Sequence, residues 1–454
     1  MRIHLPKKLK ILAEHCVSSL YVVGGYVRNF LIDGSLSDDL DIAAALSVEE
    51  IKSAAKNSGF TVVGEYKRTG TVVIFDGERK YEYTRFRTDI YDAGGAHKPV
   101  RSEFTKDILL DAKRRDFKCN AVYYDIKAEK IVDPLNGVSD IAEKVIDTVV
   151  SPEKVFCSDG LRLMRLARFS AELGFSVREE VLDAAKKYSE NIRDIAPERI
   201  YEELKKILSA DKKYPFSDKS GHYTGVKILE KIGILDILFP ELTAGRGLKQ
   251  RADFHKYDVL EHSLRSVLYA DEKIRLAALL HDVGKPYCML NFNTYKNHAK
   301  EGEQLAIEIL KRLKADNKTI KNTAFLVRSH MFDLKNDEPE SAIKLFIAKN
   351  MWSFNDLLNL KQADYSACMD DPSVCPTVKK WQAVYDAMLK DNTPFSLSEL
   401  KISAKELINI GYKNSKIGEE LNRLWEFTVI NPALNDNAAL RNLAIADLKA
   451  APPT

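Results

Sequence analysis

The segment Tyr21 to Ala43, YVVGGYVRNFLIDGSLSDDLDIA, constrains the fold of this chain more than any other stretch. Residues 20–23 are apolar and largely β-branched, which predicts a short buried strand. Gly24 and Gly25 then permit a tight turn in which the backbone approaches a ligand closely. The residues that follow have helical character, so free N–H groups at the helix start would form an anion site, to which Arg28 would add guanidinium donors.

A pair of carboxylates follows on the next predicted strand. Residues two apart on a strand share a face, so Asp39 and Asp41 would project side by side, with Leu40 and Ile42 buried behind them. Paired carboxylates beside a phosphate-binding turn predict bound Mg²⁺ for phosphoryl or nucleotidyl transfer. A diglycine or an aspartate pair alone is usually part of a solvated loop, and only their order and spacing together support this interpretation.

A third carboxylate lies on a later predicted strand, residues 80–86. The alternation of this strand places Glu82 on the face opposite its tyrosine neighbours. Glu82 is a candidate to join Asp39 and Asp41 in the catalytic set. A solvated strand glutamate fits the same pattern nearly as well.

Length and composition restrict the class of protein. The 454 residues suffice for two or three domains with substantial cores, and the charged fraction of 30% is ordinary for a globular protein. A net charge of only +3 means that a polyanionic partner must be met by local basic surface. The six cysteines lack zinc-like spacing, and no apolar run reaches the length of a membrane span. We therefore expect a soluble cytoplasmic protein with reduced cysteines and no membrane partner.

The diglycine turn followed by paired aspartates resembles the nucleotidyltransferase superfamily. More narrowly, GGYVRN…DDLDIA is similar to the bacterial class II tRNA nucleotidyltransferases, the CCA-adding enzymes, and to their poly(A) polymerase relatives. That family usually has aspartate where this chain has Asn29, which removes a charge next to Arg28. The resemblance also implies a mobile loop at residues 89–104, which contain Gly94-Gly95 and Pro99.

The segment KRRDFKCNAVYYD, residues 113–125, resembles the RRDFxxNA motif of the same family. In the family, the arginine and aspartate of this motif bind the triphosphate and ribose of the incoming nucleotide. The resemblance therefore implies that Arg114, Arg115 and Asp116 bind nucleotide here.

The segment DGLRLMRLARF, residues 159–169, predicts a helix and resembles the family motif EDxLRxxRxxRF, with Ser158 in place of the usual glutamate. The resemblance implies that Asp159 and Arg162 read the base. Aspartate accepts and arginine donates, which matches the amine and ring nitrogen of both cytosine and adenine. Arg165 and Arg168 continue the series at intervals of three residues and are also candidates for nucleotide binding, although a basic solvent-exposed stripe would look the same.

A second set of histidines and aspartates lies in a predicted all-helical region beyond residue 250. Neutral imidazoles and carboxylates are ligands for transition metals. The segment AALLHDVGKP, residues 277–286, resembles the HD phosphohydrolase superfamily. This resemblance implies a ligand set of His262, His281, Asp282 and Asp364. His298 and His330 are candidates for second-metal or phosphate-contacting residues.

These motifs predict an α+β fold, with an N-terminal nucleotidyltransferase mixed sheet and helices followed by an all-α remainder that contains the HD domain. The expected domains are a head at 1–150, a helical neck at 151–240, an HD domain at 241–375 and a tail at 376–454. The tail resembles the family segment that grips the tRNA elbow, and its basic side chains are candidates for phosphate binding.

The resemblance implies an enzyme that adds CCA, or part of it, to tRNA 3′ ends from CTP and ATP without a nucleic-acid template and releases pyrophosphate. Asp39 and Asp41 would hold Mg²⁺, and the HD site would hold a divalent transition metal. One alternative is a poly(A) polymerase. Another is an HD-domain metal-dependent phosphohydrolase that acts on RNA ends.

Overall fold

The computed structural model describes residues 2–36, 40–91 and 99–450. The chain divides into two compact units, which consist of Met1–Thr243 with Arg312–Ala315 and of Ala244–Lys311 with Asp316–Thr454. Every strand among the described residues lies in the first unit, and the second unit is helical. The predicted α+β class is therefore confirmed. None of the described helices combines the length and apolar character that are needed to cross a membrane.

A seven-stranded mixed sheet forms the centre of the first unit. The strands in chain order are β1 (Tyr21–Val23), β2 (Asp41–Ala44), β3 (Thr61–Tyr66), β4 (Thr71–Phe75), β5 (Lys80–Arg85), β6 (Arg87–Ile90), β7 (Arg101–Phe104), β8 (Tyr123–Asp125), β9 (Lys130–Val132), β10 (Val145–Ile146) and β11 (Ser176–Val177). The sheet order is β3-β4-β5-β2-β1-β8-β9, in which β2 and β5 are parallel and the other neighbours antiparallel.

Two short strand pairs lie outside this sheet. Strand β6 pairs with β7, and β10 pairs with β11. The β6–β7 pair contains both ends of the segment 89–104, which the sequence predicts to be a mobile loop. The middle of that segment, residues 92–98, lies outside the described residues.

Helices cover the sheet and make up the rest of the chain. Those of the first unit are α1 (Lys7–His15), α2 (Gly25–Asp33), α3 (Val48–Asn57), α4 (Ile108–Lys113), α5 (Gly137–Glu143), α6 (Pro152–Ser158), α7 (Leu161–Leu173), α8 (Glu179–Lys187), α9 (Pro197–Leu208), α10 (Gly221–Lys231), α11 (Ile234–Leu238) and α12 (Pro240–Thr243). Those that follow are α13 (Val259–Tyr269), α14 (Arg275–Leu280), α15 (Gly284–Phe292), α16 (His298–Arg312), α17 (Asn317–Ser329), α18 (Glu340–Lys349), α19 (Phe354–Met369), α20 (Pro376–Lys390), α21 (Ala404–Ile410), α22 (Ser415–Ile430) and α23 (Asn437–Ala450).

The predicted strand–turn–helix unit is present between β1 and α2. Val22 and Val23 of β1 are buried, and Gly24 follows with φ of 81°, a conformation that strains residues with a Cβ. Helix α2 then begins at Gly25 and ends before Gly34, which adopts the left-handed conformation common at helix C-termini. The start of α2 is therefore held next to the end of a central strand.

A clamped turn sets the register of β5 against β4. The carboxylate of Asp76 accepts hydrogen bonds from the backbone N–H groups of Glu78 and Arg79 at 2.8 and 2.9 Å. Its second oxygen accepts from the Tyr81 hydroxyl at 2.8 Å. Because Asp76 is itself buried, these contacts fix the hairpin at the point where β5 begins.

Aromatic side chains fill the core of the second unit. Trp381 is fully buried, and its ring lies 5.4, 5.5 and 6.2 Å from those of Phe332, Phe346 and Phe354. Its indole N–H donates to Asp333 Oδ2 at 2.9 Å, which satisfies the buried donor. This packing holds together α18, α19 and α20, and α19 carries one of the predicted metal ligands.

Candidate functional sites

Asp41 and Glu82 are direct partners in the parallel pairing of β2 with β5. Partners in register project from the same face of a sheet, whereas Tyr81 and Tyr83 are fully buried on the other face, as the predicted alternation requires. A Cβ added to Gly24 would stand 3.8 Å from Asp41 Oδ2, so the diglycine turn adjoins this carboxylate. Two carboxylates on one face fit a hard divalent cation such as Mg²⁺. The predicted partner Asp39 lies outside the described residues.

Arg28 is held at the start of α2 by uncharged acceptors. It is 1% exposed, and its guanidinium donates to the side-chain oxygens of Asn29 at 2.9 Å and Asn120 at 2.5 Å. It also donates to the Tyr214 hydroxyl at 3.0 Å. Asn29, which replaces the family's usual aspartate, thus orients Arg28 without neutralising it. The positive charge of Arg28 therefore stays available to an anion.

Asp111 anchors both arginines of the RRDF segment. Its carboxylate accepts hydrogen bonds from Arg114 Nε at 2.7 Å and from Arg115 Nη2 at 3.1 Å. The Tyr123 hydroxyl donates to the same carboxylate at 2.7 Å. Burial raises the pKa of the Asp111 carboxyl, but the two guanidinium groups outweigh burial and lower this pKa to about 2. Asp111 is therefore a fixed negative charge that sets the positions of Arg114 and Arg115.

Asp116, the aspartate of the same segment, binds Arg165 of α7. Arg165 donates to Asp116 Oδ2 from Nε at 2.7 Å and also from Nη2. The other oxygen accepts from Phe117 N at 2.8 Å and from Asn120 Nδ2 at 3.3 Å. Burial raises the pKa of Asp116, but the neighbouring guanidinium groups, chiefly that of Arg165, lower it to about 2. The two predicted nucleotide motifs therefore meet in this ion pair.

Asp159 lies outside the helix that carries Arg162, contrary to the prediction of a helix from residue 159. Helix α7 begins at Leu161, and Asp159 has an extended backbone between α6 and α7. Its Oδ1 accepts from Leu161 N at 2.9 Å, one of the backbone N–H groups at the start of α7 that have no partner within the helix. Arg162 donates to Arg114 O at 2.6 Å and to Ser158 Oγ at 3.0 Å, so Ser158 accepts from it in place of the family's glutamate.

Arg168 forms a buried ion pair on the far part of α7. Its Nη1 donates to Glu203 Oε1 at 3.3 Å, and its Nε lies 3.2 Å from Glu203 Oε2 and 3.9 Å from Glu172 Oε1. Arg162 and Arg168 are both 8% exposed, so these two do not form a solvent-exposed basic stripe. Arg168 links α7 to α9, and its contact with nucleotide stays a prediction.

In the second unit, Asp282 lies between two pairs of predicted histidine ligands. Its Oδ2 lies 3.2 Å from His281 Nε2 and 3.5 Å from His262 Nε2. Its Oδ1 lies 3.3 Å from His298 Nε2 and 3.6 Å from His330 Nε2. These residues form two groups of potential metal ligands that share Asp282. Such an arrangement suits two neighbouring cations.

Asp364 of α19 completes the first of these groups. Its Oδ1 lies 3.0 Å from His262 Nε2 and 3.5 Å from His281 Nε2. The helices approach closely here because Gly284 opens α15, where an added Cβ would stand only 2.1 Å from the backbone oxygen of His298. The structure therefore brings together all six residues that the HD resemblance implies.

The histidine rings are oriented by their own helices. The Nδ1 atoms of His281, His298 and His330 each lie 2.7–2.8 Å from a backbone carbonyl oxygen three residues earlier. A carbonyl only accepts, so Nδ1 carries the hydrogen and Nε2 points into the site. Two Nε2–Nε2 pairs, His262 with His281 and His298 with His330, stand 3.2 Å apart. A bound cation would accept the lone pairs of both facing nitrogens and so remove the repulsion between them.

The charge balance of the site also favours a cation. Burial lowers the pKa of His281, but Asp282 and Asp364 outweigh burial and raise this pKa to about 10. Lys285, which follows in the HDVGK segment, places Nζ 2.6 Å from Asp282 Oδ2 and donates to Gln250 Oε1 at 2.7 Å. The carboxylates thus attract positive charge from two sides, and a metal would take the place of the proton on His281 Nε2.

Asp111 and Tyr214 hold arginines of the first site but carry no motif signal that would identify them from sequence. Asn120, which accepts from Arg28, and Lys285, which contacts Asp282, lie inside the RRDFxxNA and HDVGK segments, so the motifs themselves could have identified them.

Comparison with known proteins gives three successive family matches. Residues 20–147 match the poly A polymerase head domain, residues 174–245 the probable RNA and SrmB-binding site of polymerase A, and residues 259–352 the HD domain. The A-adding tRNA nucleotidyltransferase of Deinococcus radiodurans is 32% identical over 363 residues, which cover 76% of each chain. The multifunctional CCA protein of Shewanella frigidimarina is 28% identical and aligns over 73% of this chain and 79% of its own.

The fold is similar to that of solved CCA-adding enzymes. The Bacillus stearothermophilus CCA-adding enzyme in complex with CTP superposes with a TM-score of 0.67 at 20% identity, covering 98% of this chain and 99% of that one. The relationship to the Deinococcus protein, at 32% identity over 76% of each chain, agrees with the arginine and carboxylate sites described above. This chain belongs to the class II tRNA nucleotidyltransferase and poly(A) polymerase family and carries an HD domain at residues 259–352.

Proposed function

We propose that this protein adds CCA, or part of it, to tRNA 3′ ends from CTP and ATP without a nucleic-acid template. The observation that carries this proposal is the pairing of Asp41 with Glu82 beside the Gly24 turn. Binding of RNA alone does not require paired carboxylates at a phosphate-binding turn. The relative that is 32% identical over 76% of each chain is itself named for adding A to tRNA, which supports the same substrate class here.

Membership of this family, together with an HD domain, implies that the protein depends on divalent metal ions. We propose that the ion at the first site is Mg²⁺ and that Asp39, Asp41 and Glu82 hold it. When bound, Mg²⁺ lowers the pKa of a coordinated hydroxyl and stabilises the charge of a triphosphate. The carboxylates would hold the positive charge of Mg²⁺ on the sheet face next to the first turn of α2.

The chain's own cations would bind the nucleotide. The backbone at Gly24 and Gly25 and the guanidinium of Arg28 offer donors to phosphates, because Arg28 is oriented by neutral partners and keeps its charge. Arg114 and Arg115 offer donors from positions set by Asp111. Asp116 acts on Arg165 in the same way, so the polar groups are positioned before substrate arrives.

Base choice would fall to Asp159 and Arg162. Cytosine and adenine both present an amine donor beside a ring-nitrogen acceptor, which an aspartate and an arginine can meet together. Uracil and guanine present the reverse pattern. Each unmet buried group costs about 1–3 kcal/mol, which is enough for roughly tenfold rejection.

The decisive experiment supplies tRNA transcripts that end before CCA, after C, and after CC, each with CTP and ATP together, of which one is labelled at a time. A CCA-adding enzyme extends all three and stops at the complete end. An A-adding enzyme extends only the transcript that ends in CC, and a poly(A) polymerase extends generic RNA without stopping. The Asp41→Ala variant should bind tRNA but incorporate nothing. Near-wild-type incorporation by this variant would remove the carboxylate pair from the mechanism.

A second activity, metal-dependent hydrolysis of phosphate esters at RNA ends, is favoured by the six-residue cluster around Asp282. We propose that this cluster holds a divalent transition metal, because neutral imidazoles predominate among its donors. The variant that combines His281→Ala with Asp282→Ala should lose hydrolysis of phosphorylated and cyclic-phosphate RNA ends while nucleotide incorporation stays within about twofold. Equal loss of nucleotide incorporation in a folded double variant would contradict the proposal that the two sites are separate. A wild-type protein that hydrolyses neither phosphorylated nor cyclic-phosphate RNA ends would contradict the proposed hydrolytic activity.

We also propose that the domain boundaries fall as the sequence predicts, at 1–150, 151–240, 241–375 and 376–454, and that the tail contacts tRNA. The candidate phosphate-binding residues there are Lys401, Lys405, Lys413, Lys416 and Arg423. Arg423 donates to both oxygens of Glu420 at 2.7 Å, so the four lysines are the more accessible cations for RNA. A cytoplasmic location stays a prediction.

A further inference from the structure

His255, His262 and Cys368 form a third group of potential metal ligands next to the HD site. Each offers one ligand atom, and these atoms lie within 4.8 Å of one another. The rings of His255 and His262 meet edge to face with centroids 4.9 Å apart. The HD resemblance implies neither His255 nor Cys368, so this group lies outside the motif already described.

Two imidazole nitrogens at this position lack partners. Among the residues that the structure describes, the Nδ1 atoms of His255 and His262 are buried and have no hydrogen-bond partner. His262 is fully buried, so water does not compensate its Nδ1 as it would at the surface. The other HD-site histidines behave differently, because the Nδ1 atoms of His281, His298 and His330 all contact backbone carbonyls.

The backbone fixes the three residues with respect to one another. Lys256 N donates to Cys368 O at 2.8 Å, which ties the segment next to His255 to the end of α19. Asp370, two residues beyond Cys368, accepts from Arg265 Nη1 at 2.5 Å and also from the Tyr257 hydroxyl. The segment before α13, helix α13 itself and the end of α19 are therefore connected around this group, which makes it a prearranged site.

We propose that His255, His262 and Cys368 bind a transition-metal ion, separate from the cations of the six-residue HD cluster. Two imidazoles and one thiolate are borderline-soft donors, which select Zn²⁺, Co²⁺ or Ni²⁺ over Mg²⁺. Three protein ligands leave a fourth position for water, and His255 and Cys368 are only partly buried, so an ion can enter from solvent. His262 would serve both sites, one through each ring nitrogen, and its imidazole would release the remaining N–H proton to solvent when the second ion binds.

Metal binding at these three residues can be measured by spectroscopy, without an assay of nucleotidyl transfer or of hydrolysis. Co²⁺ bound to a cysteine thiolate gives a sulfur-to-metal charge-transfer band in the near ultraviolet, which Co²⁺ bound only to nitrogen and oxygen lacks. We would titrate the metal-free full-length protein with Co²⁺ alone and record this band. The wild type should show it with about one ion per chain, and excess Mg²⁺ should not suppress it.

The Cys368→Ser variant should lose the band, and His255→Gln should weaken Co²⁺ binding at least tenfold by the same readout. Cys375→Ser is the matched control, because it removes a nearby buried cysteine and should leave the band unchanged. Asp282→Asn, which disrupts both groups of the HD cluster, should lower the total number of bound ions but keep the band. A wild type without the band, or a band that persists in a folded Cys368→Ser variant, would overturn the proposal.

Discussion

Arg28 and Tyr214 are 186 residues apart in sequence, yet Arg28 Nη2 donates a hydrogen bond to the Tyr214 hydroxyl at 3.0 Å. The guanidinium carbon also lies 5.7 Å from the centroid of the Tyr214 ring. Tyr214 therefore supplies one of the neutral contacts that hold Arg28 where the family's usual aspartate is absent. Its hydroxyl therefore acts as a positioning group for Arg28.

The Tyr214→Phe substitution keeps the ring and removes the acceptor. We expect kcat/KM for both CTP and ATP to fall about tenfold, a loss of about 1.4 kcal/mol, because Arg28 becomes less fixed. Most of the change should appear in KM, since phosphate binding is affected more than chemistry. The exposed Tyr66 on β3 provides the control Tyr66→Phe, which should match the wild type. Unchanged kinetics in Tyr214→Phe would separate this hydroxyl from nucleotide binding.

Glu82→Gln tests the third carboxylate. The amide keeps the shape but loses the charge that a divalent cation requires, so we expect kcat to fall by about tenfold or more. The Mg²⁺ concentration needed for half-maximal rate should rise as well. Glu103→Gln, on the separate strand β7, controls for loss of one negative charge. A normal Mg²⁺ dependence in Glu82→Gln would make Glu82 a solvated strand residue.

Asp159 has two roles that substitution can separate. Asp159→Asn retains an oxygen that can accept from Leu161 N, whereas Asp159→Ala also removes this hydrogen bond, at a cost of about 1 kcal/mol of stability. Both variants should lose selectivity for CTP and ATP over UTP and GTP, but only Asp159→Ala should unfold at lower temperature. Steady-state kinetics with all four triphosphates and thermal melts measure the two effects. Retained selectivity in both variants would show that the base is read elsewhere.

The lowered pKa values of Asp111 and Asp116 predict acid sensitivity of the first unit. A carboxyl whose pKa is lower in the folded state than in the unfolded chain stabilises the fold above its unfolded value near 4, and this contribution disappears as pH falls through about 2. Each group would contribute about 2 kcal/mol at neutral pH. The protection of amides in β5 and β8 against hydrogen exchange, relative to the intrinsic exchange rate at each pH, should therefore fall between pH 4 and pH 2.

Asp111→Asn should reduce that pH dependence if its protein folds, and the exposed Asp253→Asn in the second unit should leave it unchanged. Protection of β5 and β8 that stays constant down to pH 2 in the wild type would contradict the assignment of low pKa values to these buried carboxyls.

Local periodicity accounts for what the sequence predicts well. The alternation around Glu82, the buried β1 and the diglycine turn are set by neighbouring residues, and the structure contains each of them. The HD cluster was expected from the resemblance that residues 277–286 bear to the HD phosphohydrolase superfamily. For the three local features, the predictive signal lies within a few neighbouring residues.

Contacts between distant segments account for what the sequence leaves out. No local sequence pattern predicts that Tyr214 contacts Arg28 or that Cys368 lies beside His255. The helix prediction for Asp159 was wrong for a local reason. Its backbone is extended and its side chain accepts from Leu161 N two residues on, so α7 starts after it although composition alone would extend the helix.

The hydrogen bonds of the Asp76 turn determine which side chains of β5 point toward Asp41, and the carboxylate site does not. Because the turn lies between β4 and β5, chain length before β4 can change in evolution without moving Glu82 away from Asp41. Deletion of one residue between Asp76 and Glu82 would instead turn Tyr83 toward Asp41 and bury the carboxylate. Among homologous chains, length variation should therefore be frequent in the turn from β3 to β4 and rare in the five positions 77–81.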